Sequence, residues 1–156
     1  MNVLLLLGPS LGALGSRDPD LYGDESLEDV MAGVSARAEE LGHRLTWRQS
    51  DAEGDLVGWL LAAREEGFEA VIANPGALTH YSHAVRDAVQ ASGLPAIEVH
   101  QTNVFAREGF RRRSVISEAC RAVIVGLGAG GYHVALEALG WITQRGEDGS
   151  PSGSTT

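Results

Sequence analysis

Apolar and polar positions fall in blocks along this chain, and the period changes from block to block. Residues 3–7 are continuously apolar, the pattern of a strand covered on both faces. From Ser26 the period becomes helical. Leu27, Val30, Met31, Val34, Ala38 and Leu41 recur at intervals of three and four, Ser26 and Asp29 are spaced as a capping box, and Gly42 is the stop. Residues 44–49 predict a short second strand. Ser50 and Glu53 are spaced to cap a helix whose apolar face is Leu56, Val57, Leu60 and Leu61, closed by Gly67. Residues 70–73 predict a third strand running into Asn74-Pro75-Gly76. A helix over about 82–91 follows, then a fourth strand, 96–99, running into His100-Gln101-Thr102-Asn103. Beyond the loop 105–113, residues 122–126 predict a fifth strand. Val134, Leu136, Leu139 and Ile142 mark a last helix.

Strands alternating with helices over short connections predict a parallel sheet with right-handed crossovers. Five strands suit the flavodoxin-like three-layer sandwich in the order 2-1-3-4-5. In such sheets ligands bind at the carboxyl ends of the strands. Asn74, His80, Glu98 and His100 are therefore expected to converge on one pocket. The same order places strand one beside strand three, so the loop after Leu7 brings Ser10, Arg17 and Tyr22 to that pocket. That loop, residues 8–23, carries four glycines and two prolines, too many for a helix or strand, and loops of this length commonly serve function.

At 156 residues the chain makes one domain, expected to span 1–145. The Gly/Ser/Thr-rich segment 146–156 is expected to be a disordered tail. The longest apolar run, 3–7, is far short of the ~20 residues that span a bilayer. No basic signal-peptide start precedes it. The expectation is a soluble cytoplasmic protein without a membrane partner. A net charge of −9 argues against nucleic acid, while Arg111-Arg112-Arg113 suits a small carboxylate ligand. All twelve basic residues are arginine, which removes lysine Schiff-base chemistry and the Walker-type phosphate loop. Cys120 is the only cysteine and reads as core packing.

Gly126-Leu-Gly-Ala-Gly-Gly131 matches G-x-G-x-x-G between a strand and a helix. The acidic residue on a following strand that a dinucleotide site needs is missing, so close backbone packing is the better reading. The five histidines lack metal-ligand spacing. No cofactor and no metal are expected. Glu98 lies two residues from His100 on the same strand face, close enough to orient an imidazole for general acid work. Tyr22, beside Arg17, reads either as an aromatic lid or as a base. A neighbouring guanidinium favours tyrosinate and lowers the phenol pKa.

Several blocks in order resemble the type II 3-dehydroquinate dehydratases. They are residues 8–17 with Pro19 and Tyr22-Gly23, then 49–54 (QSDAEG), then 74–80 (NPGALTH) with Arg86-Asp87-Ala88. Glu98-Val99-His100 with Asn103, 106–111 (AREGFR), and 126–128 with Gly131-Tyr132 complete the set. The resemblance implies a flavodoxin-like enzyme of the shikimate pathway that eliminates water from 3-dehydroquinate in the anti sense through an enolate, without cofactor. By the same resemblance Tyr22 is the base, Arg17 lowers its pKa, and His100 supported by Glu98 is the acid. Asn74, His80, Gln101, Thr102, Arg107 and Arg111 face the substrate. The family assembles as trimers and dodecamers, in which Asp87 would reach a neighbouring subunit's site.

The chain departs from the family pattern at Ser10, where the family has an Asn holding the water that faces the enolate. Leu78, Tyr81, Gln101-Thr102 and Phe105 also depart. Three readings remain open on these grounds. One is a 3-dehydroquinate dehydratase with an altered enolate site. Another is a paralogue of secondary metabolism, applying the same Tyr/His chemistry to an aminated dehydroquinate or another β-hydroxy ketone. The third, a non-catalytic binding module, would leave Arg17, Tyr22, Glu98 and His100 without a shared purpose.

Overall fold

The computed structural model describes residues 1–16, 20 and 24–144. Five parallel strands form one sheet: β1 (Asn2–Leu7), β2 (Arg44–Gln49), β3 (Ala70–Asn74), β4 (Ala96–His100) and β5 (Ala122–Val125). Their order is β2-β1-β3-β4-β5, as the pattern predicts. Four helices cover it: α1 (Leu27–Glu40), α2 (Glu53–Ala62), α3 (His83–Ser92) and α4 (Gly130–Gln144).

The period of two in a strand divides the apolar residues between two cores. On one face Val3, Leu5, Leu7, Ile72, Ile97 and Val99 pack against α1 and α4, through Met31, Val34, Tyr132, Leu136 and others. On the other face Leu4, Leu6, Val71 and Ala96 meet Leu56 and Leu60 of α2 and Val85 and Val89 of α3. Each fully buried Leu, Ile or Val here contributes about 1.5–3 kcal/mol. The central strands β1 and β3 have apolar residues on both faces because both faces are covered, which is why they read as continuous runs rather than alternations.

The helix ends follow the sequence signals with one exception. Ser26 accepts the Asp29 N–H at 3.1 Å and starts α1, and Ser82 accepts the Val85 N–H at 3.0 Å and starts α3. The expected Ser50/Glu53 capping box does not form. The N-cap of α2 is Ala52, because Ser50 sits two residues too far out. Its hydroxyl accepts the Ala52 N–H and donates to Asp55 instead. Glu53 turns to α3 and accepts the Ser82 hydroxyl at 2.5 Å. Leu61, expected on the apolar face of α2, is 55% exposed, since only Leu56 and Leu60 point squarely at the sheet.

Two glycines set how closely the site's elements approach. Gly8 donates its N–H to the Asn74 carbonyl at 2.8 Å. A Cβ on Gly8 would come within 2.3 Å of the Pro75 oxygen, so only glycine lets the loops after β1 and β3 run against each other. Gly131, in the G-x-G-x-x-G stretch, lies against β4, where a Cβ would meet the Val99 side chain at 3.0 Å. That stretch packs α4 onto the sheet, as expected. The loop after β1 is pinned by a 3-10 turn, Leu11–Ala13, that buries Leu11 and Leu14.

Candidate active site

The carboxyl ends of β1, β3 and β4 frame a pocket of about 120 Å³, lined among others by Ser10, Asn74, His80, His100, Gln101 and Thr102. Arg107 and Arg111 close its side. Two side-chain networks reach it, one from each face of the sheet.

The first lies on the α2/α3 face. Glu98 and His100 alternate inward on β4, and His100 Nε2 is 2.6 Å from Glu98 Oε1. Glu98 is completely buried and His100 nearly so. A buried carboxylate is costly unless its oxygens are satisfied, and three donors converge here. Thr79 donates its hydroxyl to Oε1. Ser114 lies 3.0 Å from both oxygens. Ser114 Oγ also accepts the Ile116 and Ser117 N–H groups, which directs its one proton toward Glu98. The carboxylate can only accept from Nε2, so Nδ1 is the imidazole atom left to exchange a proton with a ligand.

The second lies on the α1/α4 face. Asn74 Oδ1 accepts the Gly76 N–H at 3.2 Å, and Asn74 Nδ2 donates to the Tyr132 hydroxyl at 2.7 Å. Gln101 Nε2 donates to the same hydroxyl at 3.4 Å. Tyr132 is fully buried. Burial pushes its phenol up to about 12 against the lowering effect of the two amides, so the ring is neutral at working pH and serves to fix the amides.

At the pocket's side, His80 Nδ1 is 2.8 Å from the Arg113 carbonyl. A carbonyl only accepts, so Nδ1 carries the hydrogen and Nε2 is left to accept from a ligand. Phe110 meets the His80 ring edge-on at 5.8 Å, and the Arg111 guanidinium lies 4.7 Å from the Phe110 ring centre. Glu108 stands between the arginines, 3.7 Å from Arg107 and 3.2 Å from Arg111. The Arg111 contact is an ion pair by distance. Its Nε is sealed from solvent and turned toward Glu108, so a ligand on this side would meet the guanidinium through its other nitrogens.

Of the residues singled out in the sequence, Ser10, Asn74, His80, Glu98, His100, Gln101, Thr102, Arg107 and Arg111 come together around this pocket. Arg17 and Tyr22 lie outside the described residues. Asp87 does not join them: it sits on α3 with its side chain 70% exposed, paired to Arg86 at 3.2 Å. The sequence reading missed Thr79, Ser114 and Tyr132 as supports. Thr79 and Tyr132 stand inside recognised blocks, where nothing in the spacing shows that their hydroxyls face Glu98 and Asn74. No pattern marks Ser114, which follows the arginine cluster. Among the described residues no group of three or more His, Cys, Asp or Glu is placed to hold a metal ion, and no helix is long and apolar enough to cross a membrane.

The family model described as Dehydroquinase class II matches residues 1–140. The chain is 47% identical over 147 residues to the 3-dehydroquinate dehydratase of Thermus thermophilus, covering 94% of this chain and 99% of that protein. It is 49% identical over 137 residues to that of Deinococcus radiodurans, covering 88% and 96%. A solved structure, the type II dehydroquinase from Butyrivibrio crossotus, superposes with a TM-score of 0.87 at 37% identity, covering 90% of this chain and 97% of the other. With the fold and nearly the whole length in agreement, this chain belongs to the class II dehydroquinase family.

Proposed function

We propose that the chain is a 3-dehydroquinate dehydratase of the shikimate pathway, a hydro-lyase working through an enolate. The observation that carries the reading is the Glu98–His100 pair, a buried carboxylate orienting an imidazole in the same pocket as Asn74, Arg107 and Arg111.

In this mechanism Tyr22, as tyrosinate beside Arg17, takes the proton from C2, and the released electron pair passes into the neighbouring ketone as an enolate. The enolate then re-forms the carbonyl and pushes a C1=C2 double bond into place. The C1–O bond breaks as His100 Nδ1 gives its proton to the departing hydroxyl, which leaves as water. Returning the Tyr22 proton to His100 through solvent resets the pair. Glu98 supplies the counter-charge and holds the ring. Arg111, with Arg107, Thr102 and His80 beside it, binds the carboxylate and hydroxyls. No cofactor takes part.

A paralogous dehydratase, acting on an aminated dehydroquinate or another β-hydroxy ketone of secondary metabolism, is the second reading. It is favoured by Ser10, at the pocket's edge where the family has Asn, and by the polar Gln101. Incubating the protein with 3-dehydroquinate and following the conjugated enone of the product decides between them. Turnover supports the first reading, and inactivity with retained ligand binding supports the second.

The working assembly in this reading is a trimer or dodecamer, with Asp87 reaching a neighbouring subunit's pocket. Asp87's exposure on α3 and the exposed apolar Tyr81, Phe105 and Val123, the last on edge strand β5, support it. A monomeric mass at micromolar concentration would overturn it.

A further inference from the structure

We propose that Gln101 is a specificity-determining residue and Tyr132 the positioning residue behind it, the Gln101 amide being held on the Tyr132 hydroxyl so that its Oε1 accepts a hydrogen bond from a ligand hydroxyl. The inference deepens the dehydratase reading and rests on it for the class of ligand, a polyhydroxylated ring carboxylate.

The placement follows from the strand. Ile97, Val99 and Gln101 share one face of β4 and its continuation, the face on which α4 brings Tyr132. Gln101 is only 7% exposed, in a position where an aliphatic side chain would extend the core without burying an amide. A buried amide is unfavourable unless its groups are bonded. Nε2 is bonded to Tyr132. Oε1 has no partner, yet it is not among the sealed, unsatisfied atoms of the described residues, so it opens on the pocket that Gln101 lines.

Asn74 is the complement. Its Oδ1 is occupied by the Gly76 N–H and one Nδ2 proton by Tyr132, which leaves one N–H. Both amides sit within one hydrogen bond of the same phenol oxygen. A single ligand hydroxyl placed between them accepts from Asn74 and donates to Gln101, using both capacities of an O–H group at once. A ligand lacking that hydroxyl leaves two amides unpaired, and sites built this way discriminate strongly against it.

The test compares quinate with cyclohexanecarboxylate, which has the ring and carboxylate without the hydroxyls, by titration calorimetry on wild type, Gln101→Leu, Gln101→Met and Tyr132→Phe. Wild type is expected to prefer quinate. Both Gln101 variants should lose about tenfold in quinate affinity, as expected for one hydrogen bond, and bind cyclohexanecarboxylate unchanged. Tyr132→Phe should weaken quinate similarly, and its combination with Gln101→Leu should cost less than the two single losses together, the mark of one network. Circular dichroism melts separate a folding defect in Tyr132→Phe from a binding defect, and the two Gln101 variants carry the test alone if Phe fails to fold. Unchanged quinate affinity in Gln101→Leu and Gln101→Met overturns the proposal, as does a wild type that does not distinguish the two ligands. A wild type that prefers quinate but leaves 3-dehydroquinate intact overturns the dehydratase reading instead, with Gln101 still judged by its variants.

Discussion

His100 Nε2 lies 2.6 Å from Glu98 Oε1, and every other donor around that carboxylate comes from a hydroxyl, Thr79 or Ser114. Among the described residues the imidazole is therefore the only partner of Glu98 with a charge to share. Glu98→Gln keeps the shape and removes the charge. It should lower kcat by about 10²–10⁴, the usual worth of a positioned acid or base, with KM nearly unchanged and melting temperature close to wild type. Steady-state rates with a melt check this. A rise in KM at constant kcat would make Glu98 a binding residue.

His100→Ala separates the two proton transfers. In the proposed mechanism proton abstraction at C2 does not need the imidazole, whereas departure of the hydroxyl does. The variant should exchange the C2 proton with solvent while forming no enone. Proton NMR of 3-dehydroquinate in heavy water reads the exchange, and loss of exchange together with elimination would assign His100 a part in the first step.

Ser10 is the one residue other than glycine with a positive φ, 69°, among the described residues. Asn adopts this left-handed conformation more readily than serine. Ser10→Asn should therefore raise stability, by up to about 1 kcal/mol. In a 3-dehydroquinate dehydratase it should also raise turnover, because the amide adds a donor toward the enolate side, where one such donor is worth about 10²-fold or more. Higher stability without higher turnover would favour the paralogue.

Alkaline pH should lower the protein's stability through two buried groups. Burial, reinforced by the nearby Glu98 charge, raises the Cys120 thiol from 9.0 to about 12, and burial raises the Tyr132 phenol from 10.0 to about 12. Both groups hold their protons more tightly when folded. Their contribution is complete below the unfolded values and is lost as pH climbs through the folded ones. Melting temperature should start to fall near pH 9 and keep falling toward 12, and Cys120→Ala should move the onset to about 10. In native protein at pH 8 Cys120 should react slowly with a disulfide reagent, since almost no thiolate is present.

The order of strands was legible because runs such as residues 3–7 and 70–73 read as buried on both faces, and the turn residues after them mark where a ligand sits. Glu98 and His100 were legible as a pair because a strand's period of two is fixed. Thr79, Ser114 and Tyr132 were not. Their hydroxyls reach the site from a 3-10 turn, a loop and a helix, and tertiary contact over separations such as the 58 residues between Asn74 and Tyr132 leaves no local spacing to read. The Ser50 cap misled for a related reason: a hydroxyl serves whichever N–H is nearest, and here that is Ala52, two residues on.

Glu98 and His100 hang on one core of the sheet, and the amides of Asn74 and Gln101 on the other. Strain introduced between α2 and α3 would reach Glu98 and His100 before it reached Asn74, while strain between α1 and α4 would reach Tyr132 first. Such a molecule can drift in what it accepts without losing what it does to it. A lineage could rework the α1/α4 layer, and with it Gln101, to take a new ring acid, and inherit the Glu98–His100 pair intact from the opposite layer.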